Sequence, residues 1–331
     1  MNRLVTTGVG IGLAAGALAL ALAVPALLDR TAGGADGQAA HAAHGTDDAE
    51  WGNGLAGIEV LDQAASADGS RDAAAAEPGS AEEDVTFATE AGLEVSGPAS
   101  LRGSDEVAAL ERALAGLEAG GHDAGLVLLD LHTGRRAEYG ADVQRYPASC
   151  AKALFCCALV QRDGWSEEAA PTIESCLVDS SNEAYEALVS PAGGCSLLSA
   201  WLGEAGAPEA AENARAHWYP MMSARELAAA WQSVCGFVAS DRPGATELAR
   251  TLARTGFSPI ASALRDECPV LSKPGWYPAD ETGLASSNDA GIVVAESGPY
   301  VLVVMSDRGA DLDSLVPVVA AADALHEVLV A

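Results

Sequence analysis

The sequence predicts an α+β domain, an α/β/α sandwich built on an antiparallel sheet of about five strands, with a second lobe made of helices. Three observations predict it. Strand patterns lie at both ends of the region 101–331, helical patterns fill the middle, and the first and last helices are amphipathic. Strands at the two ends pair into one sheet only if the helices between them are looped out, so the domain is discontinuous and its terminal helices cover one face.

The elements follow in order. Ser104 caps a helix over 104–119 that aligns Val107, Leu110, Leu114 and Leu117 on one face, and Gly120-Gly121 stops it. The run 125–131 reads as a strand, His132-Thr133-Gly134-Arg135 as its turn, and 136–139 as the start of a return strand. A very apolar helix covers 149–162, and further helices are expected over 182–190, 194–204, 223–237 and 245–255. A strand over 269–275 precedes a closing hairpin, 287–295 and 300–306, turned by Glu296-Ser297-Gly298-Pro299. A last amphipathic helix covers 312–329.

Ahead of this body lie two different segments. Residues 4–28 carry no charge and follow Arg3. That run exceeds the roughly 7–15 residues of a signal-peptide core and matches the roughly 20 residues of a spanning helix. Residues 1–30 are therefore expected to be a signal anchor that leaves the body outside, with Ala21-Leu22-Ala23 as a cleavage site if the segment is instead a signal peptide. Residues 31–100 hold fourteen acidic residues and one Arg, and their aromatics are Trp51 and Phe87 alone. Such a stretch cannot bury enough apolar surface to offset its chain entropy, so an acidic disordered linker is expected there. The net charge of −29 excludes nucleic acid and anionic lipid headgroups as partners. His41 and His44 are too isolated to hold a metal, and no cysteine spacing fits zinc, so neither metal nor cofactor is expected.

The chemistry is carried by lysine. Lys and Arg total 18, yet only Lys152 and Lys273 are lysine. Arginine meets the need for a solvated charge, but only lysine can shed its proton in a buried site. Lys152 sits in a helix with no evident polar face, where burial lowers an amine's pKa from about 10.4. Ser149 lies three residues earlier, on the same helix face. A neutral Lys152 could take its proton and make it a nucleophile. The helix start also offers the Ser149 N–H as half of an oxyanion hole. Thirty-one residues on, Ser180-Ser181-Asn182 supplies a hydroxyl for proton relay and an amide to hold the lysine or substrate. The plainer reading, an N-cap for the helix from 182, is compatible with that role. Lys273-Pro274-Gly275-Trp276 ends an apolar strand. Gly275 admits a close substrate backbone, and the Trp276 N–H is the second candidate oxyanion donor.

Together, Ser149-x-x-Lys152, Ser180-x-Asn182 and Lys273-x-Gly275, led in by Tyr146-Pro147-Ala148, resemble the penicillin-recognising serine enzymes, the class A β-lactamases and the D-alanyl-D-alanine peptidases. The resemblance covers about 105–331 and implies the β-lactamase/transpeptidase-like fold. It also implies Ser149 as nucleophile, Lys152 as general base, Ser180 as relay, Asn182 and Lys273 as binding groups, and Pro274, Gly275 and Trp276 as the substrate-side edge. The interval between the first two motifs is shorter than in class A, which implies a trimmed all-helical lobe. Two positions depart from the pattern: Ser181 stands where Asp is usual, and Pro274 where a hydroxyl often helps bind the substrate carboxylate.

The deacylating Glu has two competing placements. Glu209 has the E-x-x-x-N spacing to Asn213, but comes soon after the preceding helix. His217-Trp218-Tyr219-Pro220 resembles the W-E-P segment and puts Tyr219 where the Glu belongs. Acylation is thus supported and rapid hydrolysis is not. Class A relatives further imply a disulfide between Cys176 and either Cys156 or Cys157, while Cys150 reads as a small buried filler. Trp218, Tyr219 and Trp276 could wall the cleft. The expected protein is an exported, membrane-tethered monomer that forms an acyl-enzyme with β-lactams or D-alanyl stem peptides. The alternatives are a D,D-peptidase without antibiotic hydrolysis and a non-catalytic wall-binding or sensor module.

Overall fold

The computed structural model describes residues 83–331. The expected anchor, and the expected linker up to residue 82, lie outside the described residues. Seven strands among them form one antiparallel sheet: β1 (Asp84–Ala88), β2 (Glu94–Pro98), β3 (Ala124–Asp130), β4 (Arg136–Tyr139), β5 (Val270–Tyr277), β6 (Ser286–Ala295) and β7 (Gly298–Ser306). Their order is β1-β2-β4-β3-β7-β6-β5, so β5 is an edge strand. The expectation of about five strands and a linker reaching residue 100 is corrected here. β1 and β2 form a hairpin within 84–98 and bury Phe87, Leu93 and Val95. β1 shows most of its side chains to solvent and so reads like the acidic segment before it.

Ten helices are described: α1 (Asp105–Leu117), α2 (Cys150–Asp163), α3 (Ala170–Leu177), α4 (Asn182–Val189), α5 (Gly194–Glu204), α6 (Pro208–Asn213), α7 (Ala224–Val238), α8 (Ala245–Ala253), α9 (Pro259–Leu264) and α10 (Val316–Leu329). The short helices α3, α6 and α9 are additions to the sequence reading, since six to eight residues give too few turns for a periodic pattern. At α1 the Ser104 side chain accepts from the Val107 N–H, as expected of an N-cap.

The sheet separates two cores. Alternate residues of β3 and β7 face opposite ways: Leu126, Leu128, Leu302 and Val304 pack with α1, α9 and α10, and Val127, Val301 and Val303 pack with α2 and α7. α2 is buried almost all round, at the centre of the helical lobe. Among the described residues no helix is long and apolar enough to cross a membrane.

Candidate active site

Three elements meet at the edge of β5. Ser149 is the N-cap residue of α2, yet its hydroxyl makes no capping bond, which leaves it free for chemistry. Ala148 just before it has φ 48°, a left-handed conformation that aims the helix start. Gly275 makes this approach possible. A Cβ there would lie 2.3 Å from the Pro147 oxygen and 2.7 Å from the Ser149 nitrogen, so any side chain would push β5 away from Ser149. The Cys150 thiol donates to the Lys273 carbonyl at 3.1 Å, and burial pushes its pKa up. It is a buried tie between α2 and β5 rather than a reactive thiol.

Both lysines converge on Ser180. Lys152 Nζ donates to the Ser180 carbonyl at 2.5 Å and to Asn182 Oδ1 at 2.8 Å. Lys273 Nζ donates to Ser180 Oγ at 3.0 Å and to the Pro274 carbonyl at 3.1 Å. Ser180 has φ 59°, while its neighbour Ser181 accepts from the Ala184 N–H and caps α4. The cap and the cleft hydroxyl are thus separate residues, which resolves the two readings of this motif.

Both lysine side chains are fully buried, and among the described residues neither forms an ion pair with a carboxylate. Burial lowers Lys152 to about 8, with the Lys273 charge adding to the fall. Burial likewise lowers Lys273 to about 8. The Tyr185 ring lies 5.9 Å from Lys152 Nζ and offers the ammonium form an aromatic face.

Tyr219 completes the pocket. Its hydroxyl donates to Asn182 Oδ1 at 3.2 Å, beside the Lys152 bond, and its ring packs on Tyr185 at 5.1 Å and Tyr146 at 6.3 Å. Glu209 is placed otherwise. It is exposed, its carboxylate accepts from Gln144 Nε2 at 3.1 Å, and it lines a surface groove with Glu212, Asn213, Ala216 and His217. The structure does not bring it into hydrogen-bond contact with Ser149 or either lysine. Cys156 and Cys176 lie with sulfurs 3.9 Å apart as free thiols, so of the two pairings expected this one is adjacent and unbonded. Among the described residues no group of His, Cys, Asp or Glu could hold a metal ion. Two cleft aromatics escape the sequence reading. Tyr185 reads as a core residue of α4, and Phe257 lies in a loop without periodicity.

A family model described as the beta-lactamase enzyme family matches residues 162–328, 167 of the 331 residues. The match includes Asn182 and Lys273 and begins beyond Ser149 and Lys152. No curated protein matches the chain. Among solved structures, the β-lactamase of Sphaerobacter thermophilus superposes with TM-score 0.55 at 15% identity, over 67% of this chain and 98% of that one. That of Streptosporangium roseum gives 0.54 at 19%, over 66% and 99%. A variant of the class A last common ancestor of Gram-negative bacteria gives 0.54 at 21%, over 67% and 98%. At these identities the superpositions establish the fold.

Proposed function

Since the chain belongs to the β-lactamase enzyme family and is a β-lactamase-like serine hydrolase, we propose that Ser149 forms an acyl-enzyme with β-lactams or D-alanyl stem peptides and releases the acyl group slowly. One observation carries this reading: two buried lysines, both lowered to about 8, share Ser180. A neutral Lys152 that donates its two N–H bonds to the Ser180 carbonyl and Asn182 keeps its lone pair for the Ser149 proton. The Ser149 oxygen then attacks the acyl carbon, and the oxyanion is met by the N–H groups of Ser149 and Trp276. Ser180, held by Lys273, passes the proton to the leaving nitrogen.

Slow release follows from Tyr219. A phenol stands at the Asn182 amide in place of a carboxylate, and a neutral phenol is too weak a base to take a proton from water. The uncharged run 4–28 supports export, with the domain acting outside the membrane. A fluorescent penicillin tests the nucleophile. Wild type should take up one label and Ser149→Ala none; equal labelling of the two would remove Ser149 from the role. Release of D-alanine from a stem pentapeptide, set beside turnover of a β-lactam, tells which of the two donors the site serves.

A further inference from the structure

Tyr146 and Tyr277 take no part in the chemistry above, yet they flank it in the chain, three residues before Ser149 and two after Gly275. We propose that their rings form the subsite for the acyl side chain of the donor and select donors with an aromatic group there over donors with a small aliphatic one; this rests on Ser149 being the nucleophile.

The strand β5 sets the direction in which a donor lies. Side chains of a strand alternate between its faces, so Lys273, Gly275 and Tyr277 share one face at steps of about 6–7 Å. Lys273 Nζ donates to Ser180 Oγ, the hydroxyl that serves the leaving nitrogen. A Cβ on Gly275 would lie 2.7 Å from the Ser149 nitrogen, so the reacting carbon belongs at that level. Tyr277 is the next position on this face, on the side away from Ser180. The leaving nitrogen, the reacting carbon and the acyl side chain therefore map onto Lys273, Gly275 and Tyr277 in turn. The carboxylate of a β-lactam or a D-alanyl peptide is carried on the nitrogen side, so it stays at the Lys273 end.

At the acyl end stands an aromatic wall. The Tyr277 ring meets the Tyr146 ring edge-on at 5.8 Å and 86°. Tyr146 packs in turn on Tyr219 at 6.3 Å, and the Tyr219 hydroxyl donates to Asn182 Oδ1. Three tyrosines thus run from the second motif to the end of the third. All three are half-buried, so each keeps surface that a substrate can cover.

The wall is fixed before any donor arrives. The fully buried Asn288, paired with Gly275 across β5 and β6, gives Nδ2 to the Tyr146 carbonyl at 3.0 Å. Arg145 and Met222 exchange backbone bonds at 2.9 and 3.0 Å, which joins the chain before Tyr146 to the chain after Tyr219. The Tyr277 hydroxyl donates to Asp280 Oδ2 at 2.9 Å. Rings already held in place lose little freedom when another ring docks on them. A phenyl group gains edge and face contacts with such a wall, and a methyl group covers only a small part of it.

Two penicillins with the same nucleus and carboxylate test this, one with a phenylacetyl side chain and one with an acetyl. In both, the Ser149 oxygen bonds the lactam carbon, the lactam C–N bond breaks, and the serine proton passes through Lys152 and Ser180 to the nitrogen. The protein gains the whole mass of the penicillin, so acylation of the full chain is followed by intact mass, below saturation. The phenylacetyl donor should acylate faster by about tenfold or more, the scale of an apolar group placed in a pocket. Tyr277→Ala should bring that ratio towards one, and Tyr277→Phe, which keeps the ring, should keep it. A merely structural loss would slow both donors alike and leave the ratio where it was. Equal rates in wild type, a ratio that Tyr277→Ala leaves unmoved, or one that falls as far in Tyr277→Phe as in Tyr277→Ala overturns the specificity with Ser149 still labelled. Labelling by neither donor, or labelling that survives Ser149→Ala undiminished, overturns the nucleophile, and the specificity with it.

Discussion

Two buried charged clusters lie on opposite faces of the same sheet and are built in opposite ways. At the far junction, Asp130 ends β3 and meets α10. It accepts from His326 Nε2 at 3.1 Å, from Thr133 Oγ1 at 2.6 Å and from the backbone N–H groups of His132 and Thr133. Burial would raise its pKa, but these bonds outweigh burial and hold it at about 2. At the cleft, Lys152 and Lys273 are equally buried and have only neutral acceptors, so burial prevails and both fall to about 8. The bonds at Asp130 favour its charged form, whereas burial at the two lysines favours their neutral form. The junction is a fastening, and the cleft keeps amines close to losing a proton.

That contrast can be broken at its strongest point by Lys152→Arg. Arginine keeps the charge and cannot give up its proton, so acylation should fall by about 10²–10⁴-fold in stopped-flow labelling while the fold persists. Near-normal acylation would make Lys152 a mere counter-charge. Next in size is Tyr219→Glu, which gives the cleft the carboxylate the junction has. Hydrolysis of the acyl-enzyme should speed up by about 10²-fold, read as the decay of bound label. An unchanged decay would put the limit of release elsewhere than at residue 219.

The junction tests stability. Asp130→Ala should cost about 2–3 kcal/mol in urea unfolding at pH 7, from the lowered pKa and the acceptor lost to His326. The folded pKa lies below the usual carboxylate value. The contribution is therefore complete above about pH 4 and lost as pH falls towards 2. A cost that persists undiminished at pH 2 would point to packing alone.

The smallest effect has the opposite sign. Lys152 titrates lower folded than unfolded, so the unfolded chain binds more protons between about 8 and 10.5 and stability rises with pH across that window. Lys152→Met should thus stabilise by about 1–2 kcal/mol at pH 7, after the loss of two hydrogen bonds. The gain should shrink as pH climbs through the window. A destabilised variant at pH 7 would show that the bonds to Ser180 and Asn182 outweigh burial.

The same contrast separates the features legible in the amino-acid sequence from those that are not. Lys152 and Lys273 stand out because chemistry needs lysine itself, at fixed spacing from a serine and a glycine. The hairpin of β6 and β7 and the stripe of α1 stand out because burial on one face imposes a period. β1 and β2 do not, since only a few apolar residues alternate there within an acidic run. The roles of Ser180 and Ser181 are inseparable in one dimension, because either hydroxyl suits a helix start. Phe257 gives no signal, since a single exposed aromatic in a loop has no period and its relation to Trp276 depends on how the chain returns. The junction is hidden for that reason too: Asp130 and His326 lie 196 residues apart.

The most direct test of slow release from Ser149 is a burst experiment with a chromogenic cephalosporin under excess substrate. A rapid burst of about one product per protein is expected, absent in Ser149→Ala, followed by a near-flat steady state. Sustained linear turnover without a burst, or a burst that survives Ser149→Ala, would contradict it.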